Sequence, residues 1–137
     1  SFVFRGARFT LLDSGSATLA PQVYGWLDGW LAAGAPAFHL VATHMAPLDP
    51  AGTRNGAFAS RLEAGLLLGR LAAVGVDVTI YGHVHSYYAF ANAGIPAYIS
   101  GGGCGIPERL DGISRHYLTV DVDPVTQLHQ VAVVRVD

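Results

Sequence analysis

Two near-continuous apolar runs, Phe38 to Thr43 and Val76 to Tyr81, enclose a stretch from Gly56 to Val74 in which Phe58, Leu62 and Leu66 recur at helical spacing. A strand that is apolar throughout, rather than alternating, is buried on both faces, the condition of a parallel sheet covered by helices. This strand-helix-strand unit predicts two parallel neighbouring strands joined by a right-handed crossover. Their C-terminal ends then share one edge of the sheet, where open α/β sheets bind their ligands.

The flanking sequence extends the alternation. Ser1 to Phe4 and Arg8 to Leu12 read as a hairpin around Gly6, closed by the turn-forming Asp13-Ser14-Gly15-Ser16. Pro21 suits a first helical turn and Gly34 a stop, with Val23, Leu27 and Leu31 forming a stripe and Tyr24 beside them. After His85 come four short runs, Tyr87 to Phe90, Ile95 to Ser100, Arg115 to Val122 and Gln127 to Val136, which predict an antiparallel tail. In the third, Leu118, Val120 and Val122 alternate with Thr119 and Asp121, as in a strand with one face buried. No linker or repeat interrupts the chain, and its 137 residues predict one α/β domain.

Composition narrows the function. A net charge of -2, with eight basic residues against ten acidic ones, supplies no excess to neutralise a nucleic-acid backbone. The stretch between Asp77 and Glu108 carries no charged residue, but Pro96, Pro107, His83, His85 and several glycines break it up, so it does not read as a membrane span. Cys104 stands alone, which excludes an internal disulfide and leaves the compartment open. The chain begins at Ser1 without Met or a secretion signal, the mark of a processed chain or of a piece of a longer one. Hydrophobic residues make up 51% of the chain, which favours association of identical chains through exposed sheet.

The chemistry resides in the histidines. His44 follows the first apolar strand and His83 the second, so both belong to the same sheet edge. His85 lies two residues beyond His83. If Gly82 to Ser86 is extended, the two imidazoles point to one side about 6.5 Å apart. One ion would be hard for both to share, whereas two ions about 3.5 to 4 Å apart would give each ring its own. Gly82 fits a backbone passing close to ions or substrate. His39, within a strand, reads as a hydrogen-bonded core residue, and His116 and His129 have no partner motif.

Thr43-His44-Met45-Ala46-Pro47-Leu48-Asp49-Pro50, Gly82-His83-Val84-His85 and Ile99-Ser100-Gly101-Gly102-Gly103 together resemble the C-terminal half of the calcineurin-like metallophosphoesterases. Phe9 to Ser14, Trp26-Leu27, Trp30-Leu31 and Val76-Asp77 are also similar to that family. The resemblance covers most of the chain. It implies the C-terminal half of a four-layer αββα sandwich, here one βαβ unit followed by antiparallel strands, over residues 1–137. It further implies hydrolysis of phosphoric esters at two metal ions (Mn, Fe or Zn), with His44 and His83 on the second ion and His85 on the first. Ligand imidazoles must be neutral, so metal affinity should fall in acid.

The family's other ligands, an Asp-x-His pair, a Gly-Asp-x-x-Asp loop and a Gly-Asn-His loop, do not occur in the sequence. Three neutral imidazoles leave two cations without an anionic ligand. The expectation is a C-terminal portion that is inactive alone and partnered by an N-terminal half of the same protein, with no catalytic residue of its own identified. The alternative is a non-catalytic domain that keeps the fold and binds metal at most partially. Arg54 is the candidate for binding substrate phosphate, because its planar fork matches phosphate oxygens. Asn55 suits a helix N-cap, Asp49 a turn, Gly101 to Gly105 either an anion cradle or a glycine turn, and Cys104 a packed position. One of Tyr87 and Tyr88 at most would line the site.

Overall fold

The structure, a computed structural model, describes residues 1–33, 38–53, 55–103, 105–106, 113–123, 125–126 and 129–136. Strands β1 (Phe2–Phe4) and β2 (Ala7–Leu12) form the expected hairpin, with Phe4 opposite Ala7. The two-residue turn between them, Arg5-Gly6, has positive φ at both positions, a backbone twist that matches paired strands. Helix α1 (Pro21–Ala32) begins on its proline and buries Leu27 completely, with Val23, Tyr24, Trp30 and Leu31 packed around the same core. The expected stop at Gly34 lies outside the described residues.

Strand β3 (Phe38–Thr43), helix α2 (Arg61–Ala73) and strand β4 (Val78–Tyr81) form the predicted βαβ unit, with β3 and β4 adjacent and parallel. It is not the only such unit. β2 is also parallel to β3, so β2, α1 and β3 make a second. Helix α2 starts five residues later than the apolar pattern predicts, because the chain before it is bonded elsewhere: Ala46 bridges Ala57, Phe58 N–H donates to the Ala46 carbonyl at 3.2 Å, and Ala59 N–H donates to the Ala17 carbonyl at 2.9 Å. The N-cap is accordingly Ser60, not Asn55, with its hydroxyl accepting from Glu63 N–H at 3.2 Å.

Glu63 does more than occupy the first turn. Its carboxylate accepts from Thr18 Oγ1 at 2.8 Å, Leu19 N–H at 3.1 Å and Tyr24 O–H at 2.7 Å, joining α2 to α1 and to the segment before it. Burial works to raise its pKa, but these bonds outweigh burial and hold the carboxyl below its ordinary range. Burial and the same carboxylate push the Tyr24 hydroxyl up.

The tail departs from the expected antiparallel set. β5 (Tyr87–Asn92) and β6 (Ile95–Ser100) do form an antiparallel hairpin, yet β6 inserts beside β4 and runs parallel to it, leaving β5 at the edge. The main sheet therefore has the order β1-β2-β3-β4-β6-β5. Among the described residues, β7 (His116–Val122) and β8 (His129–Arg135) pair only with each other. Val120, Val122 and Val131 of this hairpin pack on Phe38, Leu40 and Val78 of the main sheet. The opposite face carries the helices, where Val41 meets Leu27, Leu67 and Leu71. The result is a helix layer, a six-stranded sheet and a two-stranded sheet. Among the described residues no helix is long and apolar enough to cross a membrane.

His39 is the core residue expected of it. Its Nε2 bonds Thr10 Oγ1 at 2.9 Å, and its backbone N–H donates to Asp77 Oδ2 at 2.7 Å. Burial, helped by the Arg8 guanidinium and opposed by Asp77, lowers the pKa of the ring. A folded-state pKa below the unfolded one leaves stability intact above about pH 6.5 and removes it as pH falls through the folded value, because the unfolded chain takes up the proton first. Thermal melts between pH 8 and pH 5 should therefore show a decline that His39→Gln flattens. An equal decline in both proteins would assign it to other groups.

Candidate metal centre

Because β2, β3, β4 and β6 are parallel, the loops that follow all four emerge at one edge of the sheet. The first two are tied together by Ser14, whose buried hydroxyl accepts from Met45 N–H at 2.7 Å and donates to the Met45 carbonyl at 3.2 Å. His44, directly after β3, is exposed, and His83, two residues after β4, is half-buried. Their rings meet edge to face with centroids 5.0 Å apart, and His44 Nε2 lies 3.1 Å from His83 Nδ1.

The protons on these rings follow from their partners. His83 Nε2 stands 3.0 Å from the Asn55 carbonyl, which can only accept, so Nε2 carries the hydrogen and Nδ1 the lone pair. In the neutral pair His44 Nε2–H therefore donates to His83 Nδ1. His85 is fixed in the same way but with the nitrogens exchanged: Nδ1 donates to the Ile106 carbonyl at 3.1 Å, leaving the lone pair on Nε2. A ring N–H anchored on a backbone carbonyl, with the opposite nitrogen left as a donor of electrons, is the usual second contact of a metal-ligating histidine.

The segment carrying His83 and His85 is not extended. Val84 N–H donates to the Gly82 carbonyl and Ser86 N–H to the Val84 carbonyl, each at 2.8 Å, which makes two successive three-residue turns. His83, at the centre of the first, has φ +64°. This left-handed conformation is costly for a residue with a Cβ, and such costs concentrate at functional sites. The 6.5 Å side-by-side arrangement that an extended segment would give is thus replaced by a pair, His44 with His83, and a separately anchored His85.

Topology explains the glycines. The 82–86 loop must cross over the end of β6 to reach β5, so the chain leaving β6 at Gly101 passes directly beneath it. A Cβ on Gly101 would collide with the Val84 carbonyl oxygen and lie 2.7 Å from its carbon. A Cβ on Gly105 would strike the His85 ring, and one on Gly102 would approach His116 Cε1 to 2.5 Å. Gly82 is under no such constraint, since a Cβ there would sit 3.5 Å from the His44 carbonyl. Gly101, Gly102 and Gly105 thus serve close packing beneath and beside the histidines. Repeated glycine after a strand signals such packing, but nothing in the sequence says which loop lies above it.

The other candidates divide clearly. Asp49 is the expected turn former, its carboxylate accepting from Ala51 N–H at 2.8 Å and Thr53 N–H at 2.5 Å. Arg54 and Cys104 lie outside the described residues. Tyr88 packs in the cluster of Tyr81, Val84 and Ile99, and Tyr87 meets the His116 ring edge to face at 5.9 Å. His116, at the start of β7, donates from Nδ1 to the Ser114 carbonyl at 2.8 Å, while its Nε2 is buried without a hydrogen-bond partner among the described residues. Neither carbonyl that anchors a site histidine, Asn55 or Ile106, is foreseeable from residue type, because every residue has one.

Two nitrogens bound to one ion at about 2.1 Å lie about 3.0 to 3.4 Å apart in octahedral or tetrahedral geometry, so the observed 3.1 Å between His44 and His83 fits a shared ion. Among the described residues no group of three or more His, Cys, Asp or Glu side chains is gathered around one point. The residues present thus fit part of the ligand shell of one ion, and carboxylates to complete it are not among those described. No protein-family model matches the chain, and a search of curated proteins finds no relative of it.

Proposed function

We infer that this chain is the C-terminal, imidazole-donating half of a metal-dependent phosphoesterase. Its helix, six-strand and two-strand layers correspond on this reading to half of an αββα sandwich. The observation that carries the inference is the anchoring of His83 and His85 by backbone carbonyls, each leaving one lone pair at the sheet edge, with His44 at cis-ligand distance from His83. His44 Nε2 and His83 Nδ1 would hold one ion, and His85 Nε2 a second. Bound cations of this kind acidify water and neutralise charge on phosphoryl oxygens.

What the chain's own residues do is narrower. His44 must move its proton from Nε2 to Nδ1 to expose the lone pair, while His83 is already in the ligating tautomer. Gly82 N–H donates to the His44 carbonyl at 2.9 Å and ties the loop after β3 to the loop after β4, while Ser14 braces the former from β2, so the two loops are joined before anything binds. The bridging carboxylates and a proton donor to the leaving group belong to the other half. The alternative, a non-catalytic domain binding a single ion, is favoured by the separation of His85 from the pair.

Zinc titration followed by the ring-proton signals in NMR tests the assignment. His44 and His83 should respond together and at the lowest zinc addition. A response confined to His129 or to no ring would refute it.

A further inference from the structure

The carbonyl that anchors His83 comes from Asn55, in the loop that leaves Ala46 after β3 and comes back to it before α2. The neck of this loop is closed by the Ala46–Ala57 bridge and by the bond from Phe58 N–H to the Ala46 carbonyl. A loop whose ends meet takes its shape from contacts among its own residues. Asp49 supplies such contacts. Its carboxylate accepts from Ala51 N–H at 2.8 Å and Thr53 N–H at 2.5 Å. It also lies against Gly56, where an added Cβ would collide with Asp49 Oδ2 and come within 3.1 Å of Cγ.

Thr53 and Gly56 are the two ends of one turn, since Gly56 N–H donates to the Thr53 carbonyl at 3.0 Å. Asp49 therefore grips that turn at both ends. Asn55 stands at its third position with φ +58°, a left-handed conformation that asparagine tolerates better than most residues. There its carbonyl meets His83 Nε2 at 3.0 Å. A carbonyl inside so tight a turn moves only with the turn, so what places the turn places the anchor.

We propose that Asp49 is a positioning residue for the histidine pair: its carboxylate fixes the turn from Thr53 to Gly56, and the turn holds the Asn55 carbonyl against the His83 ring. Turn formation alone asks less of an aspartate. Asp13 shows the minimal case, accepting from the amide two residues on, Gly15 N–H, at 3.0 Å. Asp49 makes the same bond to Ala51 and reaches on to both ends of the turn that carries the anchor. That the ring so held is a metal ligand rests on the reading of the pair given above. That Asp49 holds it does not.

The His83 ring proton reports the anchor directly, because its exchange with water requires the bond to the Asn55 carbonyl to open. In NMR of the metal-free, isotopically labelled chain, that proton should exchange about tenfold or more faster in Asp49→Ala than in the unaltered protein, the worth of one ordinary hydrogen bond. Asp49→Asn, which keeps one acceptor oxygen of the two, should fall between them. Asp123→Ala is the control. Asp123 also accepts from two amides, Val125 at 2.8 Å and Thr126 at 3.3 Å, but it follows the far end of β7 from His116 and Gly102. It should leave the exchange rate unchanged. Zinc affinity should fall about tenfold in Asp49→Ala and stay constant in Asp123→Ala. Equal exchange rates in Asp49→Ala and the unaltered protein, zinc held equally tightly by both, or an acceleration as large in Asp123→Ala, would overturn the proposal. Faster exchange in Asp49→Ala, in a protein whose His44 and His83 rings do not respond to zinc, would reject the metal centre and leave the positioning role standing.

Discussion

Gly101→Ala should lower the melting temperature by about 10 °C, corresponding to about 3 kcal/mol, and should displace both His83 and His85. The added methyl meets the Val84 carbonyl, which is backbone and cannot rotate away. Relief requires the 82–86 loop to lift off β6, and that loop carries both rings. Two residues on, Gly103→Ala is the internal control, because its Cβ would come no closer than 3.9 Å to the His116 carbonyl oxygen. It should be nearly neutral. Equal melting temperatures for the two variants, measured by circular dichroism, would show that the crossing of the two loops is looser than described.

The second large effect is on metal affinity, and it separates binding from stability. Removing a second contact of a metal ligand already costs about 10- to 100-fold in affinity, so loss of the His83 ring itself should weaken zinc binding at least about a hundredfold. The two shortest replacements should nevertheless differ in the metal-free protein. At φ +64° glycine is unstrained and alanine is not, so His83→Gly should be more stable than His83→Ala by about 1 kcal/mol, the reverse of the usual order. Both should lose metal equally. Calorimetric titration with zinc, together with urea denaturation of the two variants, checks both halves. Unchanged zinc affinity in either would remove His83 from the ligand set, and a more stable alanine variant would contradict the left-handed turn.

The parts of the fold that were legible in the sequence were those in which one physical requirement dominates. Phe38 to Thr43 and Val76 to Tyr81 are apolar because both faces are covered, by helices on one side and by the β7–β8 hairpin on the other. That double burial makes them parallel and delivers His44 and His83 to one edge. His39 was readable as a core residue because an imidazole inside an apolar strand needs a hydrogen-bond partner, which Thr10 supplies. Strand identity was readable in the tail, but strand neighbours were not. The alternation that marks Ile95 to Ser100 as a strand says nothing of its insertion beside β4, which depends on where the 82–86 loop crosses.

The details of the site were hidden for the same reason. The two tight turns around His83 and His85 are stabilised by hydrogen bonds between backbone groups, which every residue type possesses. Only the glycines at 101, 102 and 105 reported the crowding, and without the topology they read equally as a flexible turn. The late start of α2 follows from the Ala46–Ala57 bridge, a tertiary pairing that overrides the helical periodicity beginning at Gly56.

Anomalous diffraction at the zinc edge, on crystals of this chain grown with zinc, tests the metal centre most directly. The account predicts a peak within ligating distance of both His44 Nε2 and His83 Nδ1, with the His83 Nε2 bond to the Asn55 carbonyl retained. A His44–His83 hydrogen bond left intact, with zinc absent from that edge or seated on other side chains, would contradict it.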